Sequence, residues 1–193
     1  DQPGRHYHGV HHVLELLELY ASGETRGIRI DGYRRPNFPR GVETALIDAI
    51  VAHDAVYEIG RPKGWNEAQS YRRCVAVRGE ENFFLKPMID VTVHHDPEQI
   101  AGQLNHDMAA VLMPAVRLMS DLDMSPLGTD SYEFDVNSDN LRREFLHGGV
   151  HPKDYLAGRI AFLTKTRASK RIFHTALFHE ALENTARNNI GKA

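Results

Sequence analysis

A chain of 193 residues, 41% of them hydrophobic, is long enough to bury one sizeable core. Its formal net charge of −3 gives no general basic footprint for nucleic acid, and no apolar run nears the roughly 18 residues that cross a bilayer. Cys74 is the single cysteine, which excludes an internal disulfide; with no signal-peptide pattern at the start, a soluble cytoplasmic protein is expected.

The first predicted element is an amphipathic helix over 9–21, with Val10, Val13, Leu14, Leu16, Leu17 and Tyr20 on its apolar side. His8 and His12 lie four apart and share a face if that helix begins early enough. Residues 22–40 (SGETRGIRIDGYRRPNFPR) read as a long loop with local positive charge from Arg26, Arg29, Arg34, Arg35 and Arg40. Such a loop is either a solvated connection or a rim that attracts an anionic substrate. Next comes VETALIDAIVAHDAVYE, predicted as a helix over 42–58, in which Val42, Ala45, Leu46, Ala49, Ile50 and His53 make one stripe. Asp54 follows at once. A histidine and an aspartate delivered by a buried helix face form a poor core but a good pair of donors for a divalent metal.

Gly60, Pro62 and Gly64 break that helix, and another is expected through Arg78, with Asn66 as its N-cap. Residues 81–95 are predicted to continue as a helix, with a strand over 88–93 as the alternative; on the helix the stripe of Phe84, Met88, Val91 and His95 leaves His94 off the buried side. A long helix over 98–122, kinked at Pro114, carries the line Leu112, Val116, Met119 on to Asp123, whereas Asp121 falls on the side of Pro114 and Arg117. An acid at the end of a buried stripe is costly unless paired or bound to a metal, so Asp123 belongs in a site. Residues 128–135 read as a turn-rich connection, and helices follow over 138–146, 152–165 and 173–189. There are no internal repeats and no second domain boundary; 1–193 reads as one all-α domain.

The inward-pointing ligand types in chain order are His12, His53, Asp54, His95 and Asp123, from four different helices. That is how a helical bundle builds a metal site in its core. The chain also holds 12 histidines, the commonest metal ligand among side chains.

This ordered set, YHGVHH followed by AHDAVYE and later by an aspartate, resembles the HD superfamily of metal-dependent phosphohydrolases. One subgroup of small single-domain HD proteins is similar over most of the chain, through RHYHGVHH, HDAVYE, WNEAQS, SDLDMSPLG, LRREF and YLAGR. Residues 22–40 look like an insertion. The resemblance implies a compact helical bundle in which His12, His53, Asp54 and Asp123 hold a metal, with Asp121 the alternative for the last ligand. His95, or its neighbour His94, matches a histidine that serves a second ion in some such enzymes. His8 matches a histidine that protonates the leaving group in related phosphodiesterases. Glu67 is a candidate base or outer ligand, counted with His8 and Asp54 as the catalytic set.

Two histidines and two carboxylates leave room for water and substrate on one divalent ion, Mn, Mg, Fe, Co or Zn. The expected reaction is hydrolysis of a phosphate ester of a nucleotide or related small molecule, with cations such as Lys86, Arg142, Arg143, Arg159 or the loop arginines holding the phosphate. Alternatives are an inactive HD-type nucleotide-binding module and an HD-fold di-iron oxygenase. A homo-oligomer is also open, with Phe38 as an exposed apolar contact.

Overall fold

Nine α-helices and one two-stranded hairpin make up residues 3–193, the part of the chain described in the computed structural model. α1 spans Val10–Ser22, and its buried residues are His12, Leu16, Leu19 and Tyr20. Val10 and Leu14, expected on the apolar side, are about half exposed. The inward stripe therefore starts from a histidine. The helix begins after His8, which lies in the turn before it.

The segment after α1 corrects the expectation of a structureless loop. Gly23 closes α1 in the left-handed conformation (φ 73°), where a side chain would also collide with the Tyr33 ring. Strands β1 (Glu24–Thr25) and β2 (Ile28–Arg29) then pair antiparallel across a two-residue turn. Ile28 and Ile30 are buried, and the Tyr33 hydroxyl donates to the Tyr20 carbonyl at 2.6 Å. The apolar pair Ile28 and Ile30 anchors what a reading based on glycine and arginine content leaves loose. Phe38 likewise packs on the core instead of standing free.

α2 (Arg40–Ala52) is the centre of the bundle and contacts α1, α3 (Trp65–Arg78), α4 (Leu85–Asp90) and α6 (His106–Met124). Val42, Ala45, Leu46, Ala49 and Ile50 have no exposed surface; burying a leucine or isoleucine side chain stabilises by about 1.5–3 kcal/mol each. The helix stops at Ala52, six residues earlier than expected. His53 caps it, its N–H donating to the Ala49 carbonyl at 2.8 Å.

Two further expected helices are interrupted. Residues 81–95 contain only α4 and a 3₁₀ turn, Val91–Val93. Residues 98–122 divide into α5 (Pro97–Ala101) and α6. The division has local causes: Asp96 caps α5 with Pro97 in its first turn, and the Asn105 side chain accepts from Met108 N to open α6. α6 runs unbroken through Pro114, which sits on an exposed side. Asn66 is not a cap; Gly64 precedes α3, and the Asn66 side chain instead bonds the backbone of Glu58 in both directions.

A 3₁₀ turn, Ser125–Gly128, leads into α7 (Ser131–His147), which starts earlier than expected because Asp130 caps it. α8 is Pro152–Ala168 and α9 is Ala176–Lys192. The turn at 125–128 packs against α9, where a Cβ on Gly128 would lie 2.8 Å from Leu182 Cβ. No helix among the described residues is long and apolar enough to cross a membrane.

Candidate metal centre

The C-terminal end of α2 delivers His53 and Asp54, α1 delivers His12, and the last turn of α6 delivers Asp123. One donor atom each from His12, His53 and Asp54 lies within 4.8 Å of the others. Asp123 Oδ1 stands 3.2 Å from His12 Nε2 and 3.3 Å from His53 Nε2, while its Oδ2 is 2.8 Å from His95 Nε2. The two oxygens of one carboxylate thus face two different sets of histidines.

His53 shows what the cluster is suited to. Its Nδ1 is 3.1 Å from the Ile50 carbonyl, which can only accept, so Nδ1 carries the proton. In the neutral ring Nε2 then presents a lone pair. That lone pair faces Asp54 Oδ2 at 3.0 Å and Asp123 Oδ1 at 3.3 Å, yet Nε2 is buried without a hydrogen bond of good geometry. A lone pair confronting two carboxylates is stable only with a cation or a proton between them. Burial opposes charge on His53, but Asp54 and Asp123 outweigh it and hold the imidazole well above its ordinary pKa. Burial likewise acts against the carboxylates, and the histidines win: Asp54 falls to about 2 and Asp123 well below the usual range. The donor set of imidazole nitrogens and carboxylate oxygens fits a divalent metal.

His95 reaches this cluster by an unexpected route. The predicted helical stripe ends short of it, and the residue adopts a left-handed backbone (φ 52°), the one non-glycine among the described residues to do so. Such strain persists where surrounding contacts over-determine it and gathers at functional sites; here Asp123 holds the ring. His94 is exposed.

Asp121 and Asp123 are separated by role. Asp121 is wholly buried and accepts from His174 N, Thr175 N and the Thr175 hydroxyl at 2.6–2.7 Å. It ties α6 to the start of α9. Burial pushes its carboxyl up to about 7 against the pull of those donors. Asp121→Ala is expected to leave the donors unpaired, at about 1–3 kcal/mol for each buried group. Thermal unfolding should then begin about 6–12 °C lower for a loss near 3 kcal/mol.

Beside the donors lies a cavity of about 430 Å³. His8, His95, Asp123 and Arg159 give it polar groups, and Phe134, Leu141, Phe145 and Phe162 are among its apolar walls. His8 Nδ1 is 2.5 Å from Glu144 Oε1, and Glu144 Oε2 accepts from Tyr7 N and His8 N at 2.8 and 3.0 Å. Tyr57 stacks on the His8 ring, with centroids 3.8 Å apart. Burial works against the Glu144 carboxylate, but His8 and the two N–H donors hold its pKa below the ordinary value. Glu144 is the site residue that sequence reading missed. Its signal was the spacing Leu141, Glu144, Phe145, which sets an acid between two apolar residues on one face of α7.

Other expected residues stand elsewhere. Glu67, in the first turn of α3, neither joins the three-donor group nor lines the cavity. Lys86 pairs with Asp90, Arg142 and Arg143 pair with Asp139, and Arg26 and Arg35 approach Glu133 and Glu43. Arg159 is the cation that reaches the cavity. In comparisons with known proteins, no family model, no curated protein and no solved structure matches this chain.

Proposed function

We propose that the chain is a metal-dependent phosphohydrolase of the HD type, acting on a nucleotide or a related small phosphate ester. The observation that carries the reading is His53 Nε2, aimed at Asp54 and Asp123 without a hydrogen bond, with Asp123 lining the same cavity as His8 of the His8–Glu144 pair. His12, His53, Asp54 and Asp123 would hold the ion, and His95, on the other oxygen of Asp123, would serve a second. A bound divalent cation supplies a water acidic enough to attack near neutral pH and neutralises charge on phosphoryl oxygens.

The remaining work belongs to the protein. Arg159, the cation lining the cavity, would hold phosphoryl oxygens and can bind two of them at once. Glu144 accepts from Nδ1 of His8 and leaves Nε2 as the ring nitrogen with no protein partner among the described residues. In the doubly protonated ring the second proton would sit on Nε2, where the departing oxygen could take it. The aromatic and aliphatic walls exclude water from that transfer and receive the body of the substrate.

The direct test has two parts. Elemental analysis of the purified protein should find a divalent metal, Mn, Mg, Fe, Co or Zn, and a screen of nucleotides and other phosphate esters with each metal should detect released phosphate. A metal-loaded protein that binds a nucleotide but never cleaves it would replace this reading with a binding module.

A further inference from the structure

A second cavity, of about 850 Å³, opens on the other side of His95. It shares His95, Met124 and Phe162 with the cavity described above, so the two adjoin at the donor group. Three separate segments bring cations to its wall: Lys63 before α3, Lys165 on α8, and Lys170 with Arg171 in the α8–α9 connection. None of these four forms an ion pair among the described residues.

Of the two carboxylates lining this cavity, Glu98 is taken by Arg117 and Asp96 alone offsets the four cations. Asp96 is engaged in capping α5, accepting from Glu98 N and Gln99 Nε2, and Glu98 Oε1 is bonded by Arg117 at 2.9 Å. Desolvation and then the neighbouring Lys165 lower the pKa of Lys63, against the weaker pull of Glu67. In a chain of net charge −3, four cations facing one concavity against the single free carboxylate of Asp96 repel one another and concentrate a positive field there. An anion in the cavity would relieve that repulsion.

We propose that this basic cavity is a subsite for a second phosphoryl group of the substrate, one that is bound but not cleaved. The proposal rests on the phosphohydrolase reading for the group that is cleaved, but the anion site itself does not. It selects substrates with two separated phosphates, such as a nucleoside bisphosphate, over simple monoesters. The apolar cavity between would take the body of the molecule.

Calorimetric titration of the metal-free protein with inorganic pyrophosphate tests the anion site apart from catalysis. Wild type should bind, and a Lys63→Ala/Lys165→Ala variant should bind about tenfold more weakly or worse, as expected for lost contacts to a charged group. Both lysines are exposed, so the variant should fold. In the metal-loaded protein the variant should raise KM about tenfold for a nucleoside 3′,5′-bisphosphate and leave that for a 5′-monophosphate within about twofold. Pyrophosphate should compete with the bisphosphate. Absence of pyrophosphate binding, or equal binding by the variant, overturns the proposal. Equal KM shifts for both substrates, or inhibition that is not competitive, overturns the assignment to substrate in favour of a free anionic effector. If pyrophosphate binds as expected while no phosphate ester is turned over, the hydrolase reading fails and the anion site stands.

Discussion

If the proposed metal centre operates, His53→Ala and Asp54→Ala should each abolish divalent-metal binding and phosphate release. Loss of an outer partner of a metal ligand costs about 10- to 100-fold in affinity, so loss of a ligand should exceed the upper end of that range. The competing explanation is a purely structural network, in which a protonated His53 sits between Asp54 and Asp123 with no ion at all. Thermal unfolding separates the two. A metal at about 100 times its Kd adds about 2.7 kcal/mol to the folded state, which should raise Tm by about 5–11 °C in a chain of this size. His53→Ala should lose that increment. A structural network would leave wild-type Tm unmoved by any divalent ion.

The pH dependence gives an independent sign. Without metal, the folded-state pKa of His53 is raised, chiefly through Asp54 and Asp123 acting against burial. The stability it contributes is present below the ordinary imidazole value and is lost as pH rises through the raised one. Metal must displace that proton. The increment in Tm on adding metal should therefore grow as pH rises above neutrality. Asp54 acts at the opposite end: its lowered pKa gives stability above the ordinary carboxyl range that disappears as pH falls towards about 2.

How far this centre could be read in advance depends on which residues lie on a regular helical face. Val42, Ala45, Leu46, Ala49 and Ile50 point to the core at a 3.6-residue period, and His53 continues the line, so the approach of His53 and Asp54 was legible. His12 was legible only as a histidine four residues from another, since Val10 and Leu14 suggested a different face. On α6 the period put Asp123 and Asp121 on different sides, and their partners differ accordingly. What it could not show is that α6 is buried on nearly every side, which makes Asp121 an interior anchor for α9. His95 was chosen through a helix that the structure replaces with a 3₁₀ turn and a left-handed residue. Tertiary contact with Asp123, not periodicity, brings it in. Lys63 and Lys165 meet across about a hundred positions of sequence, and no local pattern announces such a meeting.

The His8–Glu144 pair carries the other large expected effect. If His8 protonates the departing oxygen, His8→Asn should lower kcat by about 10²- to 10⁴-fold for alkyl phosphate esters, the usual worth of a general acid. A p-nitrophenyl ester needs no such proton, because its phenolate leaves unaided, so the same variant should hydrolyse it within a few-fold of wild type. Glu144→Gln should show a weaker form of the same leaving-group dependence. It keeps an acceptor for the Tyr7 and His8 N–H groups but puts a neutral amide where a carboxylate holds His8 Nδ1. Glu144 thus acts as a positioning residue, through His8. A role confined to folding predicts something different: equal losses on both esters for each variant, tracking a fall in Tm. The ratio of the two rates, measured for wild type, His8→Asn and Glu144→Gln at one pH, therefore distinguishes proton transfer from scaffolding even if all three proteins differ in stability.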